Sequence, residues 1–175
     1  MLEGIHVELP QMLAAREKRF CLQQELLQKH HCPLISFCLN IPGPVKTNSK
    51  LSALFVAGLQ AISDSLAKAQ LNPIASHETH ASTGDEALLV VDASPALLKE
   101  LMTKIEESNP LGRLFDIDVL DRDGNKLSRT TPRRCLLCNE QAQACARSRR
   151  HSVEELTNYI AEILETKPLL SLGKR

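Results

Sequence analysis

The chain has 175 residues, with 21 Lys and Arg against 21 Asp and Glu, so no overall charge draws it to nucleic acid or to a membrane surface. With no Trp and a single Tyr it lacks the aromatic surface on which single strands of nucleic acid stack, and no stretch approaches the roughly 20 apolar residues of a membrane span. Residues 1–6 carry neither the basic start nor the apolar run of a signal peptide, which sets the expectation of a cytoplasmic protein; the six cysteines then read as thiols or metal ligands rather than a disulfide frame.

The length suits one domain spanning residues 1–175. It divides into an N-terminal helix (1–32), a sheet core (33–130) and a basic, Cys-rich helical tail (131–175). Residues 10–29 mix Met12, Leu13, Phe20, Leu22, Leu26 and Leu27 with charged residues, the pattern of an amphipathic helix. His30-His31-Cys32 closes it, either as a metal trio or as a helix end where His suits the dipole. Residues 33–39 form a short apolar run that reads as a buried strand. Asn40-Ile41-Pro42-Gly43-Pro44-Val45-Lys46 then turns into a helix over 49–70, with N-cap candidates at 47–49. A Gly/Pro turn with Lys46 beside a helix start is an anion cradle, or simply a stiff loop with a solvated lysine; the spacing of a P-loop is absent.

Asn72-Pro73 stops that helix. Strands follow over 74–80 and 86–92 around a turn at 81–85, with His77 and His80 as strand residues or ligands. Ser94-Pro95 starts a helix to about residue 108, and Asn109-Pro110 leads into Gly112-Arg113-Leu114-Phe115-Asp116-Ile117-Asp118-Val119. Alternation there has the period of a strand, so Asp116 and Asp118 share a face about 6.5 to 7 Å apart. The turn 121–125 ends it as a hairpin. Two like charges on one face call for a cation or a proton between them, and Mg²⁺ held against a phosphate chain suits such a pair; an acidic wet face is the plainer alternative.

In order, residues 33–119 read strand, helix, strand, strand, helix, strand: an α+β protein with a ferredoxin-like βαββαβ core, an N-terminal helix and a helical, Cys/Arg-rich C-terminal extension. Eight of the 21 basic residues fall between Arg122 and Arg150, and planar guanidinium forks in that density suit a polyphosphate, or make a solvated basic face. Cys135, Cys138, Cys145 and His151 supply the four ligands of a Cys₃His zinc site, with packed thiols as the alternative. Ser152 with Glu155 forms a capping box for a last helix, which Lys167-Pro168 breaks.

The 112–119 strand, Arg129, Pro132-Arg133-Arg134-Cys135-Leu136-Leu137-Cys138 and Cys145-Ala146-Arg147-Ser148-Arg149-Arg150-His151 resemble the apo-citrate lyase phosphoribosyl-dephospho-CoA transferase family, as do residues 40–46 and Thr83-Gly84-Asp85-Glu86. The resemblance implies transfer of the 2′-(5″-phosphoribosyl)-3′-dephospho-CoA group from its triphosphate precursor to a serine of the citrate lyase acyl carrier subunit, with loss of pyrophosphate. On that basis Asp116 and Asp118 are the expected catalytic, Mg²⁺-holding pair. Gly43, Lys46, Arg113, Arg129, Arg133, Arg134 and Arg149 are the expected phosphate binders, with 147–150 alternatively docking an acidic carrier. Zn²⁺ at the Cys₃His set would be structural, and Asp92, Glu86 or one of the aspartates would be the base. Two other readings compete: a non-catalytic zinc module that binds a phosphorylated or acidic partner, and a related transferase acting on malonate decarboxylase.

Overall fold

The computed structural model describes residues 2–107, 111–138 and 140–167. Among them are five α-helices and one four-stranded sheet: α1 (Leu9–His30), β1 (Leu34–Leu39), α2 (Ser49–Lys68), β2 (Pro73–Ala81), β3 (Gly84–Val91), α3 (Pro95–Glu107), β4 (Phe115–Leu120), α4 (Ala142–Ser148) and α5 (Val153–Thr166). The sheet order is β2-β3-β1-β4, and every neighbouring pair is antiparallel. The expected steps at Asn109-Pro110 and Pro168 lie outside the described residues.

The two faces of the sheet have different fillings, and the period of two in each strand decides which residue goes where. On one face Ile35, Phe37, Leu89, Val91, Phe115, Ile117 and Val119 join the apolar stripes of α2 and α3 in one large core, which Ile160 and Ile163 of α5 complete. On the other face Leu34, Leu88, Val90 and Leu120 pack under Leu22, Leu26 and Leu27 of α1. Gly58 of α2 lets the helix lie directly on the aromatic centre of the first core: a Cβ there would sit 2.5 Å from Phe37 Cζ and 2.9 Å from Phe115 Cζ.

Helix α1 opens on a capping box between Glu8 and Gln11 and stops at His31, which takes a left-handed conformation (φ 53°) and donates its N–H to Leu27 O. His30-His31-Cys32 therefore forms the end of a helix, and among the described residues it is not part of any group of metal-ligating atoms. Asn48 caps α2 by accepting from Leu51 N–H, and Ser152 caps α5 with Glu155 in the reciprocal box. The strand expected from residue 112 begins later: Leu111–Leu114 forms a 3₁₀ turn, and β4 starts at Phe115. The expected hairpin is reduced to a loop in which the Asp121 carboxylate accepts from the N–H groups of Asp123 and Asn125, after which Leu120 and Lys126 make an isolated bridge. No described helix is long and apolar enough to cross a membrane.

Candidate functional site

β4 is an edge strand, so the N–H and C=O of its outward-facing residues need partners from outside the sheet. At Ile117, between the two aspartates, α3 provides both. Glu106 Oε1 accepts from Ile117 N–H at 2.9 Å, and Lys99 Nζ donates to Ile117 O at 3.2 Å. The two side chains are seven residues apart, two helical turns, and flank the Leu98, Met102 and Ile105 stripe that faces the core. No local pattern marks Lys99 or Glu106 for this role, because the clamp needs β4 at the edge of the sheet.

Asp116 and Asp118 face the α1 side of the sheet, while Phe115, Ile117 and Val119 are buried on the other. Each carboxylate already has a cation: Lys126 Nζ lies 2.6 Å from Asp118 Oδ2, and Arg133 Nη2 lies 3.5 Å from Asp116 Oδ1. Across the sheet the same two rows continue. Asp116 is opposite Cys38, which is opposite Glu86; Asp118 is opposite Ser36, which is opposite Leu88. Burial, reinforced by Asp116, pushes the Cys38 thiol up to about 12, which disfavours the thiolate that nucleophilic chemistry needs.

Arg133 links the aspartates to a cavity of about 520 Å³ at the outer edge of β4, lined by Arg113, Arg129, Arg133 and Arg134 with Glu106 and Tyr159. Four of the seven expected phosphate binders thus share one cavity. Glu106 is its buried counter-charge: Arg133 donates to Oε1, and Arg129 Nη2 lies 3.8 Å from Oε2, which has no hydrogen-bond partner. Burial raises the Glu106 carboxyl above its ordinary range even with Arg133 against it.

The other three expected binders lie elsewhere. Lys46 Nζ donates to Ile41 O at 2.6 Å inside its own loop, and burial with Arg16 nearby lowers its proton affinity. Gly43 takes φ +80° where the loop meets α5, a Cβ there falling 3.1 Å from Val153 Cγ1. Arg149 is the exposed, left-handed cap of α4. Of the candidate bases, Glu86 is paired with Arg19 at 2.6 Å and Asp92 is exposed, 3.8 Å from Arg122.

Beyond the cavity the tail folds back on itself. Cys135 N–H donates to Glu140 O, and Ala142 N–H to Arg133 O. This turn brings Cys135, Cys138, Cys145 and His151 together, with one ligand atom from each lying within 4.8 Å of all the others. The Cys138 and Cys145 sulfurs are 3.9 Å apart, and His151 Nε2 is 3.4 Å from Cys138 Sγ. A tetrahedral ion with Zn–S of about 2.3 Å and Zn–N of about 2.0 Å has edges of about 3.8 and 3.5 Å, so the donor set and its spacing fit a metal. His77 and His80 belong to no such group among the described residues. Arg113 joins this turn to the arginine cavity by donating to the carbonyls of Arg134 and Cys135.

Comparison with known proteins decides the family. The profile of the apo-citrate lyase phosphoribosyl-dephospho-CoA transferases matches residues 7–167. The chain belongs to this family. A Vibrio cholerae serotype O1 (strain M66-2) protein named as a probable member is 44% identical over 164 residues, covering 91% of this chain and 92% of the relative. An Escherichia coli O6:K15:H31 member is 36% identical over 162 residues, 90% of this chain and 88% of that one. A Haemophilus influenzae protein named CitXG is 35% identical over 167 residues, and there the match takes up 36% of a longer chain. This chain is accordingly an enzyme, a transferase of citrate lyase prosthetic-group attachment, and the DxD strand, the arginine cavity and the Cys₃His turn are parts of a family transferase.

Proposed function

We propose that the protein transfers the 2′-(5″-phosphoribosyl)-3′-dephospho-CoA group from its triphosphate precursor to a serine of the citrate lyase acyl carrier subunit. The serine hydroxyl gives up its proton to a base as its oxygen bonds to the α-phosphorus, the bond from that phosphorus to the bridging oxygen breaks, and pyrophosphate leaves with the electron pair. The observation that carries this reading is the position of Arg133, which reaches Asp116 on one side and the buried Glu106 of the arginine cavity on the other. A polyphosphate seated among Arg113, Arg129, Arg133 and Arg134 has its reacting end beside the aspartates.

The pair Asp116 and Asp118 fits a hard divalent cation: two oxygen donors on one face, partly open, each now balanced by a protein cation. Bound there, Mg²⁺ would neutralise charge on the phosphoryl group being transferred. The protein's own part is positioning. The arginines orient and neutralise the departing oxygens, and the Glu106 and Lys99 clamp fixes the strand that carries the aspartates. In the same reading the Cys₃His turn holds a structural Zn²⁺, supported by its donor spacing, and residues 1–175 act as one transferase domain. The sheet is read as ferredoxin-like, supported by the order β2-β3-β1-β4 with α2 and α3 on one face.

The test is modification of purified acyl carrier subunit, followed by mass with pyrophosphate release measured in parallel. Asp118→Asn keeps the shape and removes one charge, so turnover should fall by about 10²-fold or more while the fold, read by circular dichroism, is unchanged. Turnover near wild type would remove Asp118 from the mechanism.

A further inference from the structure

A second cavity, of about 510 Å³, lies on the α1 side of the sheet between α1 and strands β2 and β3. Its floor consists of Glu86, Leu88, Thr79 and His77, and the strand register pairs Thr79 with Glu86 and His77 with Leu88. These are the far ends of the two rows that begin at Asp116 and Asp118: Asp116–Cys38–Glu86–Thr79 and Asp118–Ser36–Leu88–His77. The cavity and the aspartates therefore share one sheet face, separated by Cys38 and by Ser36, which accepts from Gln23 Nε2 of α1. Glu86 stands two strand spacings from Asp116, roughly 10 Å.

From this shared face and spacing we infer that the second cavity is the subsite for the nucleoside 5′-diphosphate end of the substrate, its dephospho-CoA portion. The inference rests on the transfer reading above and adds the place of the substrate's other half. A substrate with a polyphosphate at one end and a nucleotide coenzyme at the other needs two receptacles flanking the reacting phosphorus, and each cavity is in the size range of a small-ligand site. Their linings differ in the matching sense. Around the first, four arginines face a polyphosphate. In the second the one floor carboxylate, Glu86, is already neutralised by Arg19 at 2.6 Å, which leaves no cation cluster for a polyphosphate. Ala14, Ala15 and Leu22 of α1 and Leu88 of β3 give the cavity an apolar part beside polar groups such as Gln11, Thr79 and Thr83, a mixture that suits a purine ring. Lys18 lines the same cavity between Ala15 and Leu22 on the helix and is exposed, the place for a charge that meets a diphosphate at the rim.

The experiment titrates dephospho-CoA, and separately tripolyphosphate with Mg²⁺, into the intact protein by calorimetry. The proteins compared are wild type, Ala15→Trp, which fills the apolar part, Lys18→Glu, which reverses the rim charge, and Arg133→Ala in the first cavity. Each second-cavity variant should weaken dephospho-CoA at least tenfold, raise KM for the activated precursor by a similar factor, and leave kcat and tripolyphosphate binding within twofold. Arg133→Ala should do the opposite to the two ligands. Dephospho-CoA affinity and KM unchanged in both second-cavity variants, with carrier modification intact, overturns the subsite and leaves the transfer reading standing. Loss of dephospho-CoA binding in those variants, combined with a wild-type protein that fails to modify the carrier, upholds the subsite and overturns the transfer reading.

Discussion

At the scale of single residues, each carboxylate of the aspartate pair lies beside a protein cation, which on the proposed reading an incoming Mg²⁺ would have to displace. Lys126 reaches Asp118 at 2.6 Å from the loop after β4, and its side chain is largely exposed. An exposed pair of this kind contributes about 0.2 to 1 kcal/mol, so Lys126→Ala should change the unfolding free energy by less than about 1 kcal/mol. The same energy opposes metal entry. Removing it should lower the Mg²⁺ concentration for half-maximal carrier modification about two- to fivefold. A Mg²⁺ requirement that stays the same or rises would show that Lys126 does not compete for this carboxylate. Glu106 has a different character: it is buried, pairs with Arg133, and holds the backbone between the aspartates, while Arg129 donates its hydrogen bond to Glu107 at 2.6 Å. A carboxylate so placed acts through the arginine it pairs with.

At the scale of elements, the contact of α2 with the sheet is set by the absence of a side chain at Gly58. Phe37 stacks on Phe55 with centroids 5.0 Å apart and meets Phe115 edge-on at 5.3 Å; all three rings are fully buried. Gly58→Ala would push against two of them. Overpacking costs about 1 to 3 kcal/mol, against a helix-propensity gain of up to about 1 kcal/mol. The net loss should be about 1 to 2 kcal/mol, read as a lower urea midpoint at unchanged slope; equal or higher stability would mean α2 shifts freely on the sheet. This contact also shows what the sequence could and could not disclose. Helical stripes, caps and strand alternation are local, and the expected elements of the core appear within a few residues of their places, as does the shared face of Asp116 and Asp118. The 3₁₀ turn at Leu111–Leu114 was hidden because Leu114 continues the alternation of the strand. The arginine cavity was legible as density of charge, but not which arginines share it: Arg149 lies in the same run and caps α4, and Lys46 turns back to Ile41. The Glu106 and Lys99 clamp depends on β4 being an edge strand, a property of sheet order that no local pattern encodes.

At the scale of the whole molecule, the part of the tail before α5 has few buried apolar groups and one short helix, α4, so its order calls for a cross-link. α4 has seven residues, and beside it Cys135 N–H donates to Glu140 O and Ala142 N–H to Arg133 O. Chains of that kind do not pay their conformational entropy through burial. The Cys₃His turn offers the alternative, because metal binding by a site that forms only on folding adds directly to the stability of the segment. Its effect would reach the active cavity through Arg113, whose guanidinium donates to the carbonyls of Arg134 and Cys135. Protein purified without chelators should carry about one Zn²⁺ per chain by elemental analysis. Stripping it should open residues 132–151 to limited proteolysis while the sheet core keeps its circular dichroism. Tripolyphosphate binding should weaken with the loss of the ion and return when Zn²⁺ is restored, while dephospho-CoA, held under α1 on the far side of the aspartates, should bind as before. If the thiols are merely packed, the protein will contain no stoichiometric metal and the chelator will alter neither the cleavage pattern nor either affinity. A loss of both affinities together would instead mean that the ion supports the sheet core itself, and that the tail and the α1 face are not separable as the chain's connectivity implies.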